Sequence, residues 1–217
     1  MATSKQMKKL IEVYEDVETE PMQKILGSEI LGIVRDRPDL IAQFVSVACG
    51  LAEIVMKPLL ELVKIGITVS ARERFAIADH FKKGSAGIYY VSETFHKWFD
   101  AKVEENVPAG TLTSHKLAQD SVDGPIKAKL GEGHEVFLSW VFEKIEAQAD
   151  GREGELLVNG RANIFYYDGR VVLVGWIAGF GWYVGARGVS TPHAWIAGRR
   201  VFSRNSVLKP SDAPVAA

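Results

Sequence analysis

The stretch ANIFYYDGRVVLVGWI, residues 162–177, decides how the C-terminal third of this chain is expected to fold. It contains two runs rich in aromatic and β-branched residues, and side chains of these types favour strands. The runs are separated by Asp168-Gly169. Asp-Gly is among the strongest short signals for a hairpin, because both turn positions tolerate a positive φ. We therefore predict two antiparallel strands that are joined at this dipeptide.

Further strand and turn signals surround this hairpin. The dipeptide Asn159-Gly160 lies nine residues upstream of Asp168-Gly169 and predicts a second hairpin. Downstream lie a glycine-rich corner and the strand-like segments WYVGA and AWIAGRRVFSR. These signals indicate about five short strands, and a sheet of that size must curl or pack on a helix to bury one face. We predict a small antiparallel meander or half-open barrel that is covered by a helix at 134–149.

The first hundred residues have a helical period instead. Apolar residues recur at i, i+3 and i+4 over 38–65, with Pro58 as a kink or break. Ser70 and Glu73 have the spacing of a capping box, which predicts the start of a second helix. A further helix is expected to begin near Ser92. We predict antiparallel helical packing in this part, which assigns the whole chain to the α+β class.

These patterns divide the chain into four regions. Residues 1–104 are predicted to be helical. Residues 105–133 contain two prolines and four glycines, which predict a long connection with a short helix near 114–119. Residues 134–208 combine a helix with the β module, and residues 209–217 are expected to form a flexible tail.

Composition limits the classes of function. The 217 residues include 47% hydrophobic and 24% charged residues and have a formal net charge of −1. Such a chain can bury a core, and it has no general attraction for nucleic acid or anionic membranes. Cys49 is the only cysteine, which excludes an intramolecular disulfide. No secretory signal and no apolar stretch of membrane-spanning length is recognisable, so we predict a cytoplasmic protein.

Motifs for a metal or a cofactor are missing from the sequence. The five histidines have neither HxH nor HExxH spacing, so we predict no metal site and no cofactor. His96 and Asp100, four residues apart on a predicted helix, are candidates for acid–base chemistry together with His134 at a helix start. No nucleophile lies beside them in the sequence. A surface ion pair is the competing interpretation for His96 and Asp100.

The tetrapeptide WIAG occurs twice, at 176–179 and at 195–198. One interpretation places Trp176 and Trp195 at comparable positions of two strands in one core. The other concerns their surroundings, because residues 151–217 carry eight basic and four acidic residues among several aromatic rings. Arginines interleaved with aromatic rings are typical of a stacking surface. The residues that we predict to form this surface are Trp182, Tyr183, Arg187, Trp195, Arg199, Arg200 and Arg204.

We therefore expect a non-catalytic binding or assembly protein whose C-terminal β module presents an aromatic and arginine-rich face to a protein or peptide partner. Three alternatives stay open. One is an enzyme of unidentified class that uses His96, Asp100 and His134. Another is a protein that binds single-stranded nucleic acid, and the third is a structural subunit of a larger assembly. The sequence also leaves open whether the protein forms an oligomer.

Overall fold

The computed structural model describes residues 58–189 and 194–204. Strands account for 42% of the described part and helices for 22%, so this part is mostly β. In chain order the strands are β1 (Leu60–Val69), β2 (Arg72–Ala76), β3 (Ile88–Val91), β4 (Val103–Val107), β5 (Gly110–Leu117), β6 (Asn163–Tyr167), β7 (Arg170–Ile177), β8 (Gly181–Gly188) and β9 (Arg200–Arg204). The helices are α1 (Ile77–His80), α2 (Glu93–Phe99), α3 (Asp123–Leu130) and α4 (Leu138–Ala147), with a 3-10 turn at Ser85–Gly87.

Seven of the strands form one mixed sheet in the order β1-β5-β9-β6-β7-β8-β3, while β2 pairs with β4 separately. Most neighbours are antiparallel, but β6 runs parallel to β9 and β3 runs parallel to β8. The predicted small antiparallel meander or half-open barrel is therefore wrong. Its strands form part of a larger sheet, because β1, β3 and β5 from the upstream part of the chain pair with them.

Each face of the sheet has its own core, since alternate residues of a strand point to opposite faces. The first face carries the larger core, which Trp182 of β8 shares with Phe95 of α2 and Trp140 of α4. The second face carries a smaller core, which Ile164 of β6 shares with Ile126 of α3. The helices α2 and α4 therefore pack on the first face, whereas α3 packs on the second face near β6.

The predicted α+β arrangement with a helical N-terminal part is wrong, because residues 58–107 form the strands β1 to β4 beside two short helices. Residues 60–69 include the end of the helix predicted over 38–65, and they form β1, which pairs antiparallel with β5. This segment is rich in β-branched residues, which favour strands once a pairing partner is present. The helical spacing of apolar residues over 38–65 is therefore a misleading signal for the end of that range. Residues 38–57 of the predicted helix lie outside the described residues.

The predicted capping box at Ser70 and Glu73 does not form. Residues 72–76 are a strand that pairs with β4. The Ser70 backbone N–H donates to the Glu143 carboxylate of α4 at 2.9 Å instead. A short helix begins only at Ile77. Pairing between distant strands overrides the local helix signal, because local preferences amount to less than tertiary contacts.

The long connection predicted for 105–133 is also structured. It contains the end of β4, the whole of β5 and the helix α3. The short helix predicted near 114–119 is wrong, since β5 extends to Leu117 between β1 and β9. The second hairpin, at Asn159-Gly160, does not form either, because the described residues between α4 and β6 contain no strand.

Three local predictions are confirmed. The β6–β7 hairpin turns at Asp168 and Gly169, which both have a positive φ. The helix α2 begins after Ser92, whose hydroxyl accepts a hydrogen bond from the Phe95 backbone N–H at 3.2 Å. The helix α4 lies within the predicted range 134–149. In all three cases the signal acts over a few neighbouring residues.

In the part of the chain that the structure describes, none of the helices has the length and apolar character needed to cross a membrane. Cys49 and the predicted tail at 209–217 lie outside the described residues.

Candidate functional site

The structure divides the predicted contact residues between the two faces of the sheet. On β8, Tyr183 and Arg187 point to the second face and Trp182 points to the first, because side chains alternate along a strand. Trp182 is fully buried in the larger core, and its Nε1 donates to the Gln148 carbonyl at 2.9 Å. This tryptophan therefore supports the fold and offers no ring face to a partner.

Arg200 and Arg204 do not join the second-face residues. They alternate along β9 with Val201, which belongs to the core of the second face. The Arg200 Nη1 donates to the Glu155 carbonyl at 3.2 Å, and burial lowers the pKa of Arg200. The Arg204 guanidinium lies 5.6 Å from the centre of the Phe137 ring. These two predicted contact residues are thus used for contacts within the protein.

Arg187, Trp195 and Arg199 meet on the second face. The guanidinium carbons of Arg187 and Arg199 lie 4.0 and 5.1 Å from the centre of the Trp195 ring. These distances are typical of cation–π contacts. Trp195 is only 4% exposed, so its ring supports the two arginines and is not open for stacking by a partner.

A buried carboxylate that sequence reasoning missed anchors this cluster. Asp123, the first residue of α3, is 1% exposed. Its Oδ1 accepts hydrogen bonds from Trp195 Nε1 at 2.7 Å and from the Tyr166 hydroxyl at 3.0 Å, and its Oδ2 pairs with Arg187 at 2.9 Å. A buried charge requires such partners, because its desolvation is otherwise costly. Burial and the Asp123 charge raise the pKa of Tyr166, which keeps its hydroxyl a donor.

Arg161 is a second residue that sequence reasoning missed. Its Nη1 donates to the Ala197 carbonyl at 2.6 Å. The Arg161 guanidinium lies against Gly198, where a β-carbon would be 1.6 Å from the same nitrogen. Gly198 also has a φ of +87°, a backbone conformation that residues other than glycine rarely adopt. The second WIAG therefore ends in a turn that holds Arg161 in place.

The two WIAG tryptophans do not share a core, so the interpretation that placed them in one core is wrong. Trp176 packs on the larger core, with its ring edge-on to Trp182 at 5.2 Å. Trp195 belongs to the smaller core and forms a single β-bridge with Ser121 instead of lying in a strand. The two copies differ in their surroundings, because each packs against a different face of the sheet.

Among the described residues, the region around Arg199 has an excess of positive charge. Burial lowers the pKa of Arg199, the charges of Arg161 and Arg187 lower it further, and Asp120 acts in the opposite direction. Within the described part of the chain, Arg161 and Arg199 form no ion pair, and their hydrogen bonds go to backbone carbonyl groups. Both guanidinium groups therefore keep charge and donors that a partner could use.

Aromatic rings lie beside this region on the same face. Tyr183 stacks on Tyr90 of the edge strand β3, with ring centres 5.5 Å apart and an angle of 15° between the planes. Tyr90 is 43% exposed. Burial raises the pKa of Tyr183, and the neighbouring phenols of Tyr90 and Tyr89 raise it further. Phe180, which is 71% exposed at the β7–β8 turn, has its ring centre 5.5 Å from that of Tyr89.

Gly185 connects the aromatic and the arginine ends of this face. It lies between Tyr183 and Arg187 on the same side of β8. A β-carbon at this position would lie 2.9 Å from both the ring and the hydroxyl oxygen of Tyr183. The phenol therefore lies along the strand, directed towards Arg187. We call the surface formed by Tyr90, Tyr183, Arg187, Arg161 and Arg199 the tyrosine–arginine face.

The candidate acid–base residues do not meet. On the exposed side of α2, His96 Nδ1 lies 3.0 Å from the Asp100 carboxylate. His134 Nδ1 lies 2.6 Å from the Gly131 carbonyl, and its ring is edge-on to Tyr166 at 5.4 Å. His96 and Asp100 thus form the helix-surface pair that the sequence offered as the competing interpretation. Among the described residues, neither of them contacts His134.

A cleft of about 320 Å³ opens near the β6–β7 turn and is lined in part by Glu135, Asp168 and Arg204. Both acids of its lining have partners, since the Glu135 carboxylate accepts from the Gly169 N–H at 3.0 Å and Asp168 pairs with Lys102. None of the three candidate acid–base residues lines this cleft. In the described ranges, no cluster of histidines, cysteines and acids is arranged to hold a metal ion.

Comparisons with known proteins do not classify the chain. A scan against protein-family models, a search of the curated proteins and a search of the solved structures each found no match. Inference about function therefore depends on the geometry of the tyrosine–arginine face.

Proposed function

We propose that this chain is a non-catalytic binding protein whose tyrosine–arginine face takes a protein or peptide partner. The proposal is carried by one observation: Tyr183 and Arg187 share one side of β8. The exposed Tyr90 stacks on Tyr183, and Arg199 contacts the same Trp195 ring as Arg187 does. Tyrosine and arginine are enriched in protein interfaces. Both combine a large contact area with hydrogen-bond donors, and both are frequent among the residues that dominate binding.

The dimensions of the face suit an extended segment of a partner. Tyr183 and Arg187 are four residues apart on one strand, which corresponds to about 13 Å at the usual rise of a strand. An extended peptide covers that length with about four residues of its own. One of its side chains can contact the stacked tyrosines while another reaches the arginines.

The alternatives receive less support from the same geometry. A stacking platform for single-stranded nucleic acid needs open ring faces, and Trp182 and Trp195 are both buried. An enzyme needs its titratable groups in one place, and His96 and Asp100 lie apart from His134. The alternative of a structural subunit does not identify any contact residues. A peptide partner uses the exposed Tyr90, the half-buried Tyr183 and the arginines together.

Selection from a random peptide display library tests this proposal. The full-length protein is used as bait, and enriched peptides are labelled and titrated by fluorescence anisotropy. We expect Tyr183→Ala to weaken binding by at least about tenfold, or about 1.4 kcal/mol, as is usual for an aromatic anchor. Lys97→Ala, which changes an exposed residue of α2, serves as the control and should bind as the wild type does. Failure to enrich any peptide, or equal binding by Tyr183→Ala, contradicts the proposal.

A further inference from the structure

We propose that the partner of the tyrosine–arginine face is an acidic peptide whose carboxylates bind Arg161 and Arg199. This inference rests on the proposed binding function and names the chemistry of the partner. It follows from the charges of the face, from the geometry of the two arginines and from the apolar groups beside them.

The charges around Arg199 do not balance. The guanidinium groups of Arg161, Arg187 and Arg199 are accompanied by the carboxylates of Asp120 and Asp123. Asp123 is buried and already accepts from three donors, one of them Arg187. Asp120 accepts from a backbone N–H of the neighbouring turn at 2.7 Å. Among the residues that the structure describes, one positive charge therefore remains in excess, and Arg161 and Arg199 both reach the solvent.

The turn at 194–199 positions these two guanidinium groups. Arg161 donates to the Ala197 carbonyl at 2.6 Å, and Arg199 donates to the Ile196 carbonyl at 3.5 Å. A guanidinium group has five N–H donors, so one backbone contact orients the group and leaves most donors available. Its planar fork matches the two oxygens of a carboxylate. Held in this way, the arginines are suited to binding carboxylates.

An extended acidic peptide fits the face better than a free anion does. Ile196 is 61% exposed beside the arginines, and Tyr90 is 43% exposed next to Tyr183. An extended peptide can contact these apolar side chains while its carboxylates bind the arginines. A short anion is too small to do both. The chain as a whole has a formal net charge of −1, so it does not attract acidic molecules in general. Recognition of an acidic partner therefore depends on the local excess of charge.

Two pools of labelled peptides provide the test. In one pool, a fixed aromatic residue is followed four positions later by a pair of glutamates, and the other positions are varied. The second pool has a pair of glutamines, which have a similar shape and no charge. By fluorescence anisotropy we expect the glutamate pool to bind at least about tenfold more tightly, a difference of about 1.4 kcal/mol. Added salt should reduce this preference, because it screens exposed charges.

Paired charge variants locate the effect. Arg161→Gln combined with Arg199→Gln should abolish the preference for glutamate. Arg74→Ala combined with Lys97→Ala removes the same charge from exposed positions of β2 and α2, and it should retain the preference. Near-UV circular dichroism checks the fold of each variant. If the glutamine double variant is misfolded, Arg199→Gln alone gives the comparison, since its described hydrogen bond is the long one at 3.5 Å.

The outcomes separate this inference from the proposed function. Equal binding of both pools, with Tyr183→Ala weakening both, would overturn the acidic partner and leave peptide binding in place. A preference for glutamate that survives in the arginine variant would also overturn it. If neither pool binds and a labelled single-stranded oligonucleotide binds in an arginine-dependent way, both proposals are wrong. Both are also wrong if the wild type binds none of these probes.

Discussion

At the scale of single residues, the glycines that end the two WIAG copies separate a backbone requirement from a packing requirement. Gly179 and Gly198 have nearly the same φ, +82° and +87°. At Gly179 a β-carbon would meet no atom within 4 Å beyond its chain neighbours, whereas at Gly198 the Arg161 guanidinium occupies that space. Both turns therefore need glycine for its backbone freedom, and only the second uses its small size to seat an arginine.

This comparison predicts a difference between Gly198→Ala and Gly179→Ala. Each variant should lose about 1–2 kcal/mol of unfolding free energy, because alanine is strained at these φ values. Gly198→Ala should lose about 1 kcal/mol more, since Arg161 must move and give up its hydrogen bond to Ala197. Urea unfolding of the two variants measures this difference. Equal losses would mean that the bond between Arg161 and the turn does not stabilise the fold.

At the scale of elements, the helix α4 is capped by a strand from elsewhere in the chain. Its own N-cap residue, Phe137, has no side chain that can accept a hydrogen bond. The carboxylate of Glu104 on β4 accepts from the backbone N–H groups of Leu138 and Ser139 at 2.7 and 2.9 Å, and Glu104 is 7% exposed. A negative charge at a helix N-terminus is favourable, so this contact joins the two-stranded sheet to α4.

Removal of this carboxylate should destabilise the protein strongly. We expect Glu104→Ala to lower the free energy of unfolding by about 2–4 kcal/mol, because two buried N–H groups lose a charged acceptor. Glu104→Gln retains one acceptor oxygen and should lose roughly half as much. Glu105→Ala, which changes the exposed neighbour on the same strand, is the control and should stay within about 0.5 kcal/mol of the wild type. Urea unfolding would refute the capping role if the two alanine variants were alike.

At the scale of the whole molecule, the sheet buries a histidine among the strands β1, β5 and β9. His115 of β5 is 0% exposed and lies opposite Val201 on β9 and Leu62 on β1. No described group makes a well-oriented hydrogen bond to either ring nitrogen. Burial lowers the pKa of His115 below its ordinary value of 6.5, and the nearby Val201 backbone opposes this only in part. The smaller core therefore favours the neutral imidazole.

Acid should weaken the whole fold through this residue. Above the ordinary pKa of 6.5 both the folded and the unfolded states hold a neutral His115, which then contributes nothing to pH dependence. Below it, the unfolded state binds a proton that the folded state does not, so the free energy of unfolding falls by up to about 1.4 kcal/mol per pH unit. We expect His115→Leu to remove this part of the slope between about pH 7 and pH 5. Urea unfolding across this range, with His96→Gln as the control, tests it, and an unchanged slope in His115→Leu would rule it out.

The sequence by itself determined those features whose free energy comes from neighbouring residues. The hairpin at Asp168-Gly169 follows from two positions that tolerate a positive φ. The start of α2 follows from the Ser92 hydroxyl and the nearby backbone N–H that it accepts from. The approximate position of α4 follows from a helical period over one short segment. The concentration of aromatic and arginine residues in the last third of the chain also directs attention to the segments that supply most of the tyrosine–arginine face.

Only the tertiary structure decided which of these residues act together. Local spacing favours a helix where β1 lies, because the pairing partner of β1, the strand β5, is some fifty residues away in the chain. Trp182 and Tyr183 are adjacent in the sequence, yet one is core and the other is surface, because helices cover the first face more fully than the second. Asp123 belongs to an Asp-Gly-Pro triplet that is typical of a turn, and its role depends on donors from β6, β8 and the 194–199 turn. Such contacts join distant segments, and their free energy exists only once the sheet has formed.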